Sequence, residues 1–245
     1  MTSPVEVRES ALHSFPASKH DRCESRRIHH DSQGARRAGF CGKVTGIDLS
    51  PYLVRVAGRL SAEEGLAERV EFRAGDTRGL NLPSGSFDAV IAHTLVSHVD
   101  DPLAVVSEAA RLVRTGGMVG IFDGDYASLT FDHADSAQAK EYDDIIISSI
   151  VTSPRTMRQM PRLLRAAGLT LVASFPSLVA KIGRADFWLP AIASLRRLIP
   201  AAGTMTEQGA NALADNLLKA SDEGVFFGAS NYYSYVAKKT ADRLA

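Results

Sequence analysis

The stretch Val44-Thr45-Gly46-Ile47-Asp48-Leu49-Ser50-Pro51 decides the fold that this sequence predicts. A short apolar run ends on the carboxylate of Asp48, and Ser50 with Pro51 then favours a helix N-cap and first turn. The pattern therefore predicts a strand over 43–48 and a helix over 51–65. An acid at the tip of such a strand either binds the ribose hydroxyls of a nucleotide or only caps the helix that follows.

Strands and helices alternate after Lys43, which is typical of a parallel sheet covered by helices on both faces. We predict further strands over 70–74, 87–92 and 118–122, with a helix from Asp101 to about Val113. Because the carboxyl ends of parallel strands meet at one edge of a sheet, polar residues that follow them should lie close together. Those residues are Asp48, Asp76, His93 and Asp123.

The chain divides into an N-terminal segment and one domain. Residues 1–40 hold four of the seven histidines and no useful periodicity, so we interpret them as irregular or disordered. Residues 41–245 are interpreted as the domain, with helical cap elements at about 127–152 and 185–225 that we expect to cover the site. Its other predicted elements are an amphipathic helix over 154–167 and strands over 169–175 and 232–237.

Composition excludes several classes of function. Lys plus Arg equals Asp plus Glu at 28 each, so charge gives no argument for a nucleic-acid or membrane partner. Two cysteines fit a reducing compartment, and no apolar run approaches the roughly 18 residues of a membrane helix. We predict a cytoplasmic protein with a small-molecule substrate. Cys23 with His29 and His30 could hold a metal, but a solvated tail is favoured, and no metal site is predicted.

Three segments carry a family resemblance. They are VTGIDLSP at 44–51, FRAGDTRGLNLPSGSFDAVIAHTLVSHVDDP at 72–102 and EAARLVRTGGMVGIFD at 108–123. Together they resemble a class I S-adenosylmethionine-dependent methyltransferase of the small-molecule group. The resemblance implies a doubly wound, mostly parallel, Rossmann-like α/β sheet with helical insertions. It also implies S-adenosylmethionine as the cofactor.

The resemblance assigns roles to residues at the predicted strand tips. It implies that Asp48 binds the ribose hydroxyls, with Leu49 as an apolar contact. Asp76 would accept a hydrogen bond from the adenine amino group, with Thr77 beside it, and His93 would face the sulfur of the methyl donor. These five residues are the predicted cofactor-binding set.

Methyl transfer from a sulfonium needs in-line positioning and removal of a proton from the acceptor. A base near the fourth or fifth strand would suffice, and the catalytic candidates are His93, His98 and Asp125. Asp123 and Tyr126 lie in the same region. Each has a structural alternative, because a histidine there can pack or cap a helix and an aspartate can cap the next one. The tyrosines at 232, 233 and 235 are interpreted as strand packing in preference to substrate stacking.

The N-terminal segment departs from the family pattern. The family's first strand and its Gly-x-Gly-x-Gly loop should lie about 15 to 25 residues before Asp48. Residues 22–44 contain no Gly-x-Gly, and no β-branched run precedes Asp31. We therefore expect the first strand to be divergent or missing, through truncation or an altered reading frame, and cofactor binding to be weak. Its neighbours would pair elsewhere or with each other, with Ile28 to His30 as a possible substitute strand.

Two functional hypotheses remain open from the sequence. The first is an enzyme that methylates a small organic acceptor, and the retained strand tips favour it. The second is a catalytically impaired methyltransferase-like binding or scaffold protein, or a truncated remnant, which the missing Gly-rich loop favours. A nicotinamide-dependent dehydrogenase is a weaker third reading, because the Gly-Gly-strand unit at 116–122 fits methyltransferases better.

Overall fold

The structure is a computed structural model that describes residues 42–241 and the backbone of 26–28. A seven-stranded sheet forms its centre, with the strand order β3-β2-β1-β4-β5-β7-β6. Strands β1 to β5 run parallel, and β7 is antiparallel to both β5 and β6. The strands are β1 Arg26–Ile28, β2 Lys43–Asp48, β3 Val70–Ala74, β4 Phe87–His93, β5 Val113–Phe131, β6 Leu169–Gly183 and β7 Phe226–Lys239.

Six helices accompany the sheet in the described part of the chain. They are α1 Pro51–Glu63, α2 Pro102–Leu112, α3 Ala139–Ile150, α4 Thr156–Ala166, α5 Leu189–Ala201 and α6 Glu207–Asp222. The predicted doubly wound, mostly parallel α/β fold is confirmed. Within the described ranges, none of the helices has both the length and the apolar character needed to cross a membrane.

The first strand is divergent but not missing. Arg26–Ile28 pairs in parallel with Lys43–Thr45 of β2 on one side and with Ala89–Val90 of β4 on the other. Neither of the rearrangements that we considered takes place, since β2 and β4 keep a strand between them. The expected irregularity of residues 1–40 is therefore wrong at 26–28, and the rest of that segment lies outside the described residues, as do Cys23, His29 and His30.

The predicted bounds of β2 and β3 are confirmed to the residue, and β4 includes His93. The first predicted cap element is too long at its start, because β5 continues through Phe131. Its register shifts after Asp125, and its last two residues then pair with Gly228 and Ala229 of β7. The side chains of Leu129 and Phe131 are buried there, and this burial stabilises the strand conformation.

Two hydrophobic cores lie along this sheet. The main core packs α2 and α4 against the central strands, around residues such as Val106, Val119 and Met160. A second core packs α3, α5 and α6 against the far end of β5 and the start of β7, around Phe131 and Phe226. The predicted helical cap elements thus form a body of their own at one end of the sheet.

The Gly116-Gly117 pair allows α2 to lead directly into β5. Gly116 has a φ of +81°, which favours glycine, and a Cβ on Gly117 would lie 2.6 Å from the Asp88 carbonyl oxygen. The Lys239 ammonium caps the end of α2 by donating to the carbonyls of Ala110 and Val113 over 2.7 and 3.0 Å.

Candidate functional site

The polar strand tips lie at one edge of the sheet, as the sequence predicts. Asp48 ends β2, Asp76 follows β3 after Gly75, and His93 ends β4. In β5, Phe122 is the register partner of His93, so Asp123 lies one residue beyond it. Because β2 to β5 all run in the same direction, these side chains belong to the carboxyl edge, where such sheets bind ligands.

Asp48 lies in a tight turn between β2 and α1. The Ser50 backbone N–H donates to its Oδ1 over 2.7 Å, while Ser50 Oγ caps α1 by accepting from the Leu53 backbone N–H over 3.3 Å. The helix cap is therefore Ser50, and Asp48 organises the turn before it. Leu49, the next residue, is 73% exposed and presents apolar surface beside this carboxylate.

Arg78 holds the carboxylate of Asp76. Its Nε donates to both carboxylate oxygens over 3.0 and 3.1 Å, its Nη2 donates to Oδ2 over 2.7 Å, and its backbone N–H donates to Oδ1 over 2.9 Å. These bonds lower the pKa of Asp76 to about 2. Arg78 Nη1 also donates to Asp100 over 2.6 Å, which ties this loop to the start of α2. Thr77 lies half-buried between them.

The tip of β4 is conformationally strained. Thr94 has a φ of +51°, a left-handed conformation that a β-branched residue rarely adopts. Its backbone N–H donates to the Phe122 carbonyl over 2.8 Å, and its hydroxyl lies 3.0 Å from His93 Nδ1. The His93 ring also packs on the Phe122 ring, with 4.7 Å between the centroids.

Asp123 is fully buried, and its carboxylate organises the loop that follows β4. Its Oδ2 accepts from the Ser97 backbone N–H over 3.0 Å, and its Oδ1 accepts from the Gly124 backbone N–H over 2.8 Å. Burial raises its pKa, although these two bonds and the nearby His98 act in the opposite direction.

Two tyrosine rings lie near this carboxylate. Tyr232 stacks on Phe122 at a centroid distance of 5.7 Å, and Tyr126 meets His98 edge-on at 5.6 Å. The Tyr126 hydroxyl lies 3.4 Å from His98 Nε2. Burial and the charge of Asp123 raise the pKa of Tyr126 above its ordinary value and that of Tyr232 to about 12, so both phenols stay protonated at neutral pH.

Asp125 has a different environment from Asp123. Its side chain is 2% exposed, and the Arg158 Nε on α4 donates to both of its oxygens over 2.9 Å. The carboxylate is thus neutralised by a cation that belongs to a packed helix. This pair attaches α4 to the end of the parallel part of β5.

The structure adds partners that the sequence analysis missed: Arg78, Ser97, Asp100 and Arg158. None follows a predicted strand directly. Ser97 and Arg158 bond carboxylates 26 and 33 residues away, and Arg78 bonds Asp100 over 22 residues as well as Asp76 in its own loop, so no local motif marks the set. Strand packing is the favoured interpretation of Tyr232, and its ring stacks on Phe122, but it also lies beside Asp123. A cleft of about 510 Å³ opens at the opposite edge, lined by Lys43, Thr45 and Phe87, away from these groups.

The strand tips fit the adenosyl half of an S-adenosylmethionine molecule. Asp48 and Asp76 place carboxylates at the ends of adjacent strands, where hydroxyl and amino groups would find acceptors, and at Asp76 an amino group would compete with Arg78. The expected position of the Gly-rich loop, which would receive the methionine half, lies between β1 and β2 and outside the described residues. No group of side chains suited to a metal ion was found among the residues that the structure describes.

Comparison with known proteins identifies the domain. Residues 31–121 match the family described as "Methyltransferase domain". A 37.1 kDa transposon-encoded protein of Streptomyces fradiae, itself uncharacterised, is 31% identical over 208 residues, which cover 84% of this chain and 58% of that protein. A phosphatidylethanolamine N-methyltransferase of Cereibacter sphaeroides is 46% identical over 78 residues, 32% of this chain and 38% of that enzyme. The matches thus span about half the length of these relatives or less.

Solved structures share the fold at low sequence identity. A Bacillus halodurans C-125 protein provisionally assigned as a methyltransferase has a TM-score of 0.65 at 16% identity, covering 95% of this chain and 98% of its own. The [4+2]-cyclase SpnF has a TM-score of 0.60 at 20% identity, with coverages of 96% and 81%. A geranyl diphosphate C-methyltransferase of Streptomyces coelicolor was solved with S-adenosyl-L-homocysteine. It has a TM-score of 0.56 at 13% identity, and the match covers 96% of this chain and 79% of that enzyme. The resemblance to methyltransferases is confirmed for residues 31–121 and for the fold, and proteins with this fold have been solved with S-adenosylmethionine or S-adenosylhomocysteine.

Proposed function

We propose that this chain, which contains a methyltransferase domain at 31–121 and has the class I methyltransferase fold, transfers a methyl group from S-adenosylmethionine to a small organic acceptor. One observation carries the proposal: Asp48, Asp76 and His93 lie at the tips of β2, β3 and β4, and Asp123 lies at the same edge on β5, one residue beyond the register partner of His93. The fold alone would not suffice, because a cyclase shares it.

The cofactor-binding roles follow the order of the strands. Asp48 binds the ribose hydroxyls and Leu49 packs beside them, while Asp76 and Thr77 lie where the adenine amino group would bind. His93 at the tip of β4 would lie beside the methyl donor, and Thr94 and the Phe122 ring hold the imidazole in place. The bound cofactor supplies an activated methyl group, so the chain has to position the acceptor and receive its proton.

His98 is the best placed of the three candidate proton acceptors. It is exposed, and its Nε2 lies beside the Tyr126 hydroxyl, so it can exchange protons with an acceptor and with water. His93 has Nδ1 against Thr94 and its ring against Phe122, an arrangement that favours a positioning role. We assign a structural role to Asp125, because both of its oxygens accept from Arg158.

Calorimetric titration with S-adenosylhomocysteine and thermal melts with S-adenosylmethionine test the cofactor site. Ligand at a hundred times its dissociation constant should add about 2.7 kcal/mol to the free energy of unfolding. Asp88→Asn is the matched control, since Asp88 pairs with Arg114 away from these tips. Transfer of a labelled methyl group to a mixed pool of small acceptors then tests catalysis. Binding without transfer to any acceptor would favour the alternative of an impaired binding protein.

The Gly-rich loop can be tested in the same assay. Because residues 22–44 lack Gly-x-Gly, we expect weak cofactor binding that improves when a family-like strand and Gly-rich loop are grafted before Gly42. Clear stabilisation of the original chain at micromolar cofactor would contradict this expectation.

We also propose a cytoplasmic location and no nucleic-acid or membrane partner, supported by the balanced charge and the low cysteine content.

A further inference from the structure

A row of aromatic rings extends along the side of the site that holds His98, where we place the methyl acceptor. The His93 ring packs on Phe122, which stacks on Tyr232, and the Tyr126 ring meets His98. Gly124 joins the two halves of this row, because a Cβ there would lie 3.2 Å from the Tyr126 ring and 3.4 Å from the Tyr232 ring. Both tyrosine rings therefore lie close to the same point of β5, directly after Asp123.

The carboxylate next to these rings has no Lys or Arg partner among the described residues, and His98 is the nearby group whose charge acts on it. Asp123 accepts two backbone N–H groups, and no ion pair joins it to a Lys or Arg among the described residues. Asp125, two residues along the same strand, is equally buried but has Arg158. A buried carboxylate without a counter-ion is costly, so a site of this kind gains stability from a bound cation.

We propose that the acceptor is an amine, whose ammonium group binds beside Asp123 with the faces of Tyr126 and Tyr232 as further contacts. Electron-rich ring faces attract ammonium groups, and the buried carboxylate supplies the opposite charge. An acceptor that develops negative charge, such as a phenol or a carboxylic acid, would be repelled by Asp123. This inference rests on the proposed methyl transfer and specifies its substrate class.

The proposed methyl transfer to nitrogen requires only the methyl donor, the amine and a group that accepts one proton. The ammonium first gives one proton to His98 or to water, which leaves a lone pair on nitrogen. That lone pair forms the new N–C bond as the S–C bond of the methyl donor breaks, and the sulfur keeps the bonding electrons. The products are the methylated ammonium ion and S-adenosylhomocysteine. The Tyr126 hydroxyl, 3.4 Å from His98 Nε2, helps to orient the imidazole.

Binding of choline, compared with its uncharged isostere 3,3-dimethyl-1-butanol, tests the cation site without any turnover. We expect choline to bind at least about tenfold more tightly than the isostere, and Asp123→Asn to remove most of that preference. Tyr126→Leu and Tyr232→Leu should each weaken choline binding by about twofold to thirtyfold, while Tyr126→Phe keeps the ring and should have little effect. Asp88→Asn is again the control, and circular dichroism checks that each variant is folded.

The pH dependence of choline binding gives a second readout, because choline itself does not titrate. Burial raises the pKa of Asp123, so the ionised form is gained as the pH rises through that value, and choline affinity should rise with it. The other groups at this site are His93 and His98 beside β4, Tyr126 on β5, Tyr232 on β7, and the Asp125–Arg158 pair of β5 and α4. His98→Gln separates loss of the histidine charge from ionisation of Asp123.

The possible results distinguish this proposal from the proposed function. Equal binding of choline and the isostere, or a choline preference unchanged in Asp123→Asn, would overturn the amine site. Labelled methyl groups appearing on phenols but not on primary amines would also overturn it and leave methyl transfer intact. If S-adenosylhomocysteine fails to bind while an Asp123-dependent choline preference remains, the cation site stands and the proposed enzymatic function does not.

Discussion

The guanidinium of Arg78 donates hydrogen bonds to the carboxylate of Asp76 from its Nε and Nη2 atoms, at distances between 2.7 and 3.1 Å. With the Arg78 backbone N–H added, three N–H donors of one residue bond the two oxygens of this carboxylate. An adenine amino group that binds Asp76 must therefore displace part of this interaction. Arg78 also bonds Asp100, so its release would loosen the link between the β3 tip and the start of α2.

We expect Arg78→Ala to tighten binding of S-adenosylhomocysteine by about twofold to fivefold, the range for an exposed ion pair. The reason is that adenine would no longer compete with the guanidinium for Asp76. Calorimetric titration measures the effect. Arg73→Ala is the matched control, since Arg73 pairs with Glu71 in an exposed ion pair on β3 itself. Weaker binding in Arg78→Ala would show that Arg78 instead helps to bind the cofactor.

The titration of Asp76 should also depend on Arg78. The hydrogen bonds from Arg78 lower its pKa from 3.8 to about 2. Its contribution to stability is therefore present above about pH 4 and is lost as the pH falls through about 2. In Arg78→Ala we expect the NMR titration midpoint of the Asp76 carboxyl to rise toward its ordinary value. An unchanged midpoint would mean that another group lowers it.

Asp48→Ala should lower the affinity for S-adenosylmethionine by about 1.5 to 3 kcal/mol, the range for a hydrogen bond to a charged group. The same change also removes the acceptor for the Ser50 backbone N–H. Asp48→Asn keeps an acceptor for that bond and separates the two effects, so it should stay folded but bind more weakly than the wild type. Calorimetry with both variants decides, and wild-type affinity in each would remove Asp48 from the site.

Arg158→Ala should destabilise the chain by about 3 kcal/mol, the lower end for breaking a buried pair, since the Arg158 side chain is 40% exposed. The change leaves Asp125 buried without a counter-ion. Chemical denaturation measures the loss, and Arg162→Ala, on the same helix but outside this pair, is the comparison. Adding Asp125→Asn should restore part of the stability. A double variant less stable than Arg158→Ala would contradict this account.

Thr94→Gly should raise the free energy of unfolding by about 1 kcal/mol. Glycine adopts the left-handed conformation of Thr94 without the steric cost of a β-branched side chain, and this relief exceeds the entropy that glycine loses on folding. A thermal melt measures the change. If methyl transfer is also slower, the hydroxyl contact with His93 matters for function, whereas lower stability would show that this contact outweighs the strain.

Much of the edge could be predicted from the sequence, because the information is local. The apolar runs of β2, β3 and β4 and the Ser50-Pro51 helix start mark their own bounds, and their chain direction places Asp48, Asp76 and His93 together. The first strand could not be recognised in this way. Arg26–Ile28 has no strand-like pattern, and it is a strand only because β2 and β4 offer parallel partners on both sides.

Only the tertiary structure decided what each carboxylate does. Asp123 and Asp125 are alike in sequence, two residues apart on one strand and both buried. The packing of α4 gives Asp125 the Arg158 cation, 33 residues away, while Asp123 receives backbone N–H groups and the ring of Tyr232, more than a hundred residues later. The pattern that predicts a strand depends on residues that are neighbours in sequence. The charge and protonation of a buried group depend instead on atoms that folding brings near it from elsewhere in the chain.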